Sequence, residues 1–110
     1  MMVAAEPVSS NFAGQVLGLV DSGASFNFMN NELCAKLGWQ VDKQQQALVQ
    51  LANGTVVKSD GRATGVLQVG PWRGLISVQV LPLSFDLVLG LPWLKQCGPR
   101  PDWSTGKLFW

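Results

Sequence analysis

The chain reads as short apolar runs punctuated by glycine. Gln15–Val20 is one such run, and it stops at the polar turn Asp21-Ser22-Gly23, the pattern of a buried strand entering a loop. Asn30 to Leu37 predicts a short helix. Asn30 or Asn31 can cap it, Leu33 and Leu37 share a face at i, i+4, and Gly38 ends it. Leu48–Ala52 and Thr55–Lys58 flank Asn53-Gly54, which predicts a hairpin whose two-residue turn holds both central residues at positive φ. Strands are expected at Ala63–Val69 and Leu75–Leu81, joined by a turn over Gly70-Pro71-Trp72-Arg73-Gly74.

Phe85 to Leu89 predicts a further apolar strand, stopped by Gly90. A second short helix is expected over Pro92–Cys97, with proline tolerated in its first turn and Gly98 closing it. Pro99 and Pro101 keep the chain from resuming a helix. Asp102–Gly106 then reads as a turn before a terminal aromatic strand, Lys107–Trp110. Together these elements predict a small, mostly antiparallel β domain with two short helices.

Composition narrows the chemistry. A length of 110 residues fits one domain with a single core, and 47% apolar residues is too many for a disordered chain. The net charge of +1 offers no electrostatic basis for binding nucleic acid or an anionic membrane. The apolar run Val16–Val20 breaks at Asp21, far short of a membrane span. Met1 to Ser9 has no basic stretch and carries Glu6, so it does not read as an export signal. Histidine is absent. That excludes Ser-His and Cys-His nucleophilic pairs, and the two cysteines alone are too few for a zinc site. Cys34 and Cys97 read as buried thiols rather than a disulfide. Carboxylate chemistry is what remains.

No phosphate-binding glycine loop, dinucleotide fingerprint or His-Glu-x-x-His helix is present. What stands out is Leu19-Val20-Asp21-Ser22-Gly23-Ala24-Ser25. There an apolar strand delivers a carboxylate into a tight turn containing a hydroxyl and a glycine. Such a turn can fix a carboxylate against backbone N–H groups and admit close approach of another chain. Taken alone, Asp-[Ser/Thr]-Gly occurs by chance in roughly one chain of this length in twenty, so a plain polar turn remains open at this point.

A second segment lies most of a domain downstream: Phe85-Asp86-Leu87-Val88-Leu89-Gly90-Leu91-Pro92-Trp93-Leu94. With the Asp21 loop it resembles the retropepsin-like aspartic proteases, in particular those of gypsy-class LTR retrotransposons. The tail Asp102-Trp103-Ser104-Thr105-Gly106-Lys107-Leu108-Phe109 also looks like that family's ending. The resemblance runs from about Phe12 to Trp110. It implies a closed small β-barrel with one or two short helices and a flap hairpin, spanning 12–110. Residues 1–11 would then form an N-terminal extension or interface strand.

Carried over residue by residue, the resemblance makes Asp21 the catalytic aspartate and Ser22, Gly23, Ala24 and Ser25 the rest of its loop. Leu51, Ala52, Asn53, Gly54 and Thr55 match the flap tip over substrate, and Leu89-Gly90 the strand supporting the loop. The implied activity is peptide hydrolysis by a homodimer acting on peptide or polyprotein, with no metal or other cofactor and no role for nucleic acid or membrane. The implied location is intracellular, in the cytoplasm or in retroelement particles. A non-catalytic dimerisation or peptide-binding module on the same fold is the alternative, and an unrelated small β-barrel would need three motif coincidences.

Overall fold

The computed structural model describes residues 1–51 and 53–110. Strand β1 (Met2–Pro7) pairs antiparallel with β2 (Val16–Val20), and β2 runs parallel to β9 (Leu87–Leu89). Next to β9 lies β3 (Phe28–Asn30), antiparallel to it and parallel to β8 (Trp72–Leu81). β8 makes a nine-pair antiparallel ladder with β7 (Gly61–Val69), from Gly61↔Val80 to Val69↔Trp72. The far end of β7 returns to β1 through Glu6↔Gln68 and Pro7↔Leu67. Six strands thus close into a barrel, the architecture the sequence reading expects.

The barrel closes because its strands present one apolar face. Along β8, Ile76, Val78 and Val80 alternate inward and meet Leu67, Val69, Leu87, Leu89, Val20 and Met29 in one buried cluster. β4 (Val41–Asp42) adds to the other end of β7 through Val41↔Ala63. Trp39 lies across Gly65 of β7, where any Cβ would collide with the indole ring. Helix α1 (Asn31–Leu37) seals one side with Leu33, Cys34 and Leu37. The Asn30 side-chain oxygen caps it by accepting from the Glu32 and Leu33 N–H groups at 2.8 and 3.3 Å. Gly38 ends it at φ 72°.

Helix α2 (Leu91–Cys97) places Trp93 fully inside, edge-on to Trp72 at 5.9 Å and to Trp110 at 6.5 Å. The terminal strand β11 (Lys107–Phe109) pairs within its own chain to β10 (Arg100–Asp102), a strand the sequence reading missed among its prolines. Leu108 packs on the core, whereas Phe109 and Trp110 keep about half of their surface exposed.

Other differences have local causes. The β7–β8 connection is the two residues Gly70-Pro71 rather than five: Gly70, at φ 55°, reverses the chain quickly enough for Trp72 to pair. The strand expected from Phe85 begins only at Leu87, because Phe85 and Asp86 sit in a bend. Met2–Pro7 forms a barrel strand paired on both sides.

Cys34 and Cys97 are free thiols, the first buried and the second half-buried. Burial pushes the Cys97 thiol up to about 11, against the smaller pull of a hydrogen bond from Trp110. The native thiol therefore keeps its proton after the unfolded one, at 9.0, has lost it. Its contribution to stability is complete below pH 9 and fades between pH 9 and about 11. At pH 7.5, alkylation of Cys97 should run about tenfold slower than that of an exposed cysteine peptide, the smaller thiolate fraction being partly offset by a more nucleophilic thiolate, and should accelerate up to about pH 11. Mass spectrometry of iodoacetamide-treated protein checks this, and equal rates would show the thiol to be unshielded.

Candidate active site

The Asp21 loop is built where β2 and β9 run out side by side. The Asp21 N–H donates to the Leu89 carbonyl at 3.0 Å, continuing the parallel pairing for one more residue. The chain then turns tightly, with Ala24 N–H donating to the Asp21 carbonyl at 3.1 Å. Gly23 N–H donates to Asp21 Oδ1 at 2.9 Å, which fixes the carboxylate against its own loop. Asp21, Ser22 and Gly23 are all exposed in the isolated chain.

Beneath the loop, Gly90 is held by three contacts. Its N–H donates to Asn27 Oδ1 at 2.9 Å, Leu91 N–H donates to the Ala24 carbonyl at 2.9 Å, and the Ala24 and Phe26 carbonyls crowd its α-carbon. Asn27 is 4% exposed and uses its whole side chain, since Nδ2 also donates to the Ser77 carbonyl at 3.1 Å.

Asp21 opens onto a cleft of about 810 Å³. One wall is Gly23, Ala24, Ser25, Phe26 and Phe28. The opposite wall is Leu48–Leu51 of the β5 (Leu48–Gln50) and β6 (Val56–Lys58) hairpin, and Leu81, Leu83, Ser84 and Phe85 close the end. Phe26 and Phe28 meet edge-on at 6.0 Å. Asp21 is the only ionisable residue among the described lining, so the cleft offers one carboxylate in an apolar trough.

Of the residues singled out from sequence, the structure brings Asp21, Gly23, Ala24, Ser25 and Leu51 around this cleft, with Leu89-Gly90 below. Asn53, Gly54 and Thr55 stand exposed at the hairpin's end, and Ala52 lies outside the described residues. The turn differs from the expected two-residue form. Leu51 N–H donates to the Thr55 carbonyl at 2.8 Å, and Gly54 N–H to the Leu51 carbonyl at 2.9 Å. Gly54 takes φ 84°, whereas no non-glycine among the described residues has positive φ. Asn53 therefore keeps negative φ and uses its side chain instead, accepting from Thr55 N–H at 3.0 Å.

Sequence reasoning missed Asn27, Ser59 and Gln79, the three buried polar residues near the site. Asn27 had a visible signal, a single polar residue within Phe26-Asn27-Phe28-Met29. Gln79 had none, because it occupies the outward phase of the β8 alternation.

A closed six-stranded barrel with an Asp-Ser-Gly loop over an apolar cleft defines a retroviral-protease-like domain. The chain belongs to the PEG10/RTL1 protease domain family, whose model matches residues 17–110. Its fold is similar to the retroviral protease-like domain of Ddi1 from Leishmania major, with TM-score 0.73 and 22% identity over 98% of this chain and 84% of that one. It is also similar to the protease of simian foamy virus (mac), with TM-score 0.60 and 14% identity over 93% of this chain and all of that one. A foamy viral protease-reverse transcriptase matches 93% of this chain at TM-score 0.64 and 11% identity, and the match spans 12% of that longer chain.

Proposed function

We propose that the chain is an aspartic endopeptidase that works as a homodimer, with one Asp21 from each copy forming the catalytic pair. The observation that carries this reading is the Asp21 carboxylate, fixed by Gly23 N–H at 2.9 Å, at the mouth of a cleft with no other charged group among its described lining residues. Peptide hydrolysis of this kind needs two carboxylates sharing a proton. One takes a proton from the attacking water while the other gives its proton to the carbonyl oxygen. No covalent intermediate forms. Because a shared proton is required, activity should be favoured at acidic to mildly acidic pH.

A chain with a single Asp-[Ser/Thr]-Gly holds half of this apparatus and completes it only by two-fold pairing. In this reading Ser22 bonds to the partner's loop and Leu51 to Thr55 form the lid over substrate, with polyprotein of a gypsy-class retroelement as the natural substrate. The test is a dilution series of the wild-type chain on a peptide library, followed in parallel by sedimentation. Specific activity should fall in step with the dimer fraction. A fully active monomer would overturn the half-site mechanism. A stable dimer with no cleavage at any pH would instead favour the non-catalytic module.

A further inference from the structure

Besides the backbone bond from Asp60 N–H to the Val80 carbonyl at 2.7 Å, where the chain passes into β7, two side-chain restraints of very different quality tie the β5–β6 hairpin to the barrel. Arg62 donates to Gln45 Oε1 at 3.0 Å just ahead of β5, but both side chains are exposed, and such bonds contribute little in water. The other restraint is buried at the hairpin's root. Ser59 Oγ, 1% exposed, donates to Gln79 Oε1 at 2.7 Å and accepts from Ala47 N–H at 3.0 Å. Ser59 N–H in turn donates to the Ala47 carbonyl at 2.9 Å, so this one residue holds both arms of the hairpin. Gln79, 8% exposed, donates its own N–H to the Asn27 carbonyl at 2.8 Å, and the Asn27 side chain receives Gly90 N–H under the Asp21 loop.

We infer that Ser59 and Gln79 are positioning residues. They form a buried clamp that fixes the hairpin root in register with the Asp21 loop, through Asn27, and so set where the hairpin lies over the cleft. The physical reason is asymmetry. The hairpin is a separate two-stranded sheet in which Leu48 and Val56 are exposed and Val49 alone is buried, so only modest apolar burial holds it. Its placement then rests on the bonds at its base, and a buried hydrogen bond left without its partner costs enough to change a local opening equilibrium by about tenfold or more.

This inference assigns the hairpin a lid role only insofar as the proposed protease reading holds, so the deciding measurement is made without substrate. Amide hydrogen exchange is compared in the intact chain for wild type, Ser59→Ala, Gln79→Leu and Gln79→Glu, with Val78→Ala as a core control. Ser59→Ala and Gln79→Leu should speed exchange about tenfold or more at Val49, Leu51 and Val57, while β7 and β8 keep their protection. Gln79→Glu retains the acceptor oxygen and should restore most of the hairpin's protection. Val78→Ala should loosen the barrel without singling out the hairpin. Uniform acceleration in the clamp variants, or none, would overturn the clamp. In an active enzyme the same two variants should raise KM about tenfold with kcat within about threefold. Complete inactivity of the wild type would sink the protease reading and leave the exchange result to decide the clamp.

Discussion

Replacing Asp21 by Asn is expected to lower peptide cleavage at least about a thousandfold and leave the fold in place. Each proposed dimer would lose both carboxylates, so neither a base for the water nor a donor for the carbonyl oxygen remains, and that class of catalysis is worth about 10²–10⁴. The carboxamide can still accept the Gly23 N–H that Asp21 Oδ1 receives at 2.9 Å, and the loop's two backbone bonds do not involve the side chain. Asp21 is exposed and makes no buried ion pair, so stability should change by no more than about 0.5 kcal/mol, or about 3 °C in Tm. Parallel cleavage assays and thermal melts check both halves. Wild-type cleavage by the variant would remove Asp21 from the mechanism. A large drop in Tm would show that any lost activity came from unfolding.

Much of the fold was legible because its punctuation is local. Asn30 and Gly38 frame α1 by bonds spanning two to four residues, and Gly98 closes α2 at φ 59° in the same way. The hairpin at Asn53-Gly54 was visible too, though its turn was misjudged. A two-residue turn requires Asn53 at positive φ. The chain instead uses a longer turn, in which Gly54 alone adopts that conformation. Elements defined only by distant partners were not legible. β1 owes its strand form to β2 and to Gln68 and Leu67 some sixty residues on, and β3 is three residues held between β8 and β9.

The candidate site divides in the same way. Asp21-Ser22-Gly23 is a contiguous motif and could be read directly. The apolar walls of its cleft come from four separate segments, and nothing in Leu48 or Phe85 taken alone points to a shared trough. The buried polar residues were hidden for a related reason. Gln79 sits at an outward position of β8, and it is buried because the root of a hairpin from elsewhere covers it. Sequence alternation reports which face of its own strand a residue occupies, and it does not report what another segment lays over that face.

Gly90→Ala is expected to be strongly destabilising although it adds only one methyl group. The glycine's backbone, at φ −91° and ψ −165°, suits any residue, so space rather than conformation demands glycine here. An added Cβ would run into the Phe26 carbonyl oxygen and come within 2.8 Å of the Ala24 carbonyl oxygen. Both atoms belong to the main chain and cannot swing aside as a side chain would. Relieving the clash means moving the Asp21 loop away from β9. That movement strains the Gly90–Asn27 and Leu91–Ala24 bonds, both 2.9 Å, and leaves Asn27 Oδ1 buried without a donor. Overpacking costs about 1–3 kcal/mol and each buried group left unpaired about 1–3 more, a large share of the roughly 5–15 kcal/mol that holds a domain of this size. Gly98→Ala supplies the comparison at the other end of the same helix. There φ is 59° and nothing lies within 4 Å of the new methyl, so only the conformational cost of about 1 kcal/mol applies. Urea denaturation of both variants should place Gly90→Ala at least about 3 kcal/mol below wild type, with cleavage lost as well, and Gly98→Ala close to 1 kcal/mol below. Equal stabilities for the two would mean that Gly90 does not support the Asp21 loop by the close backbone contact described.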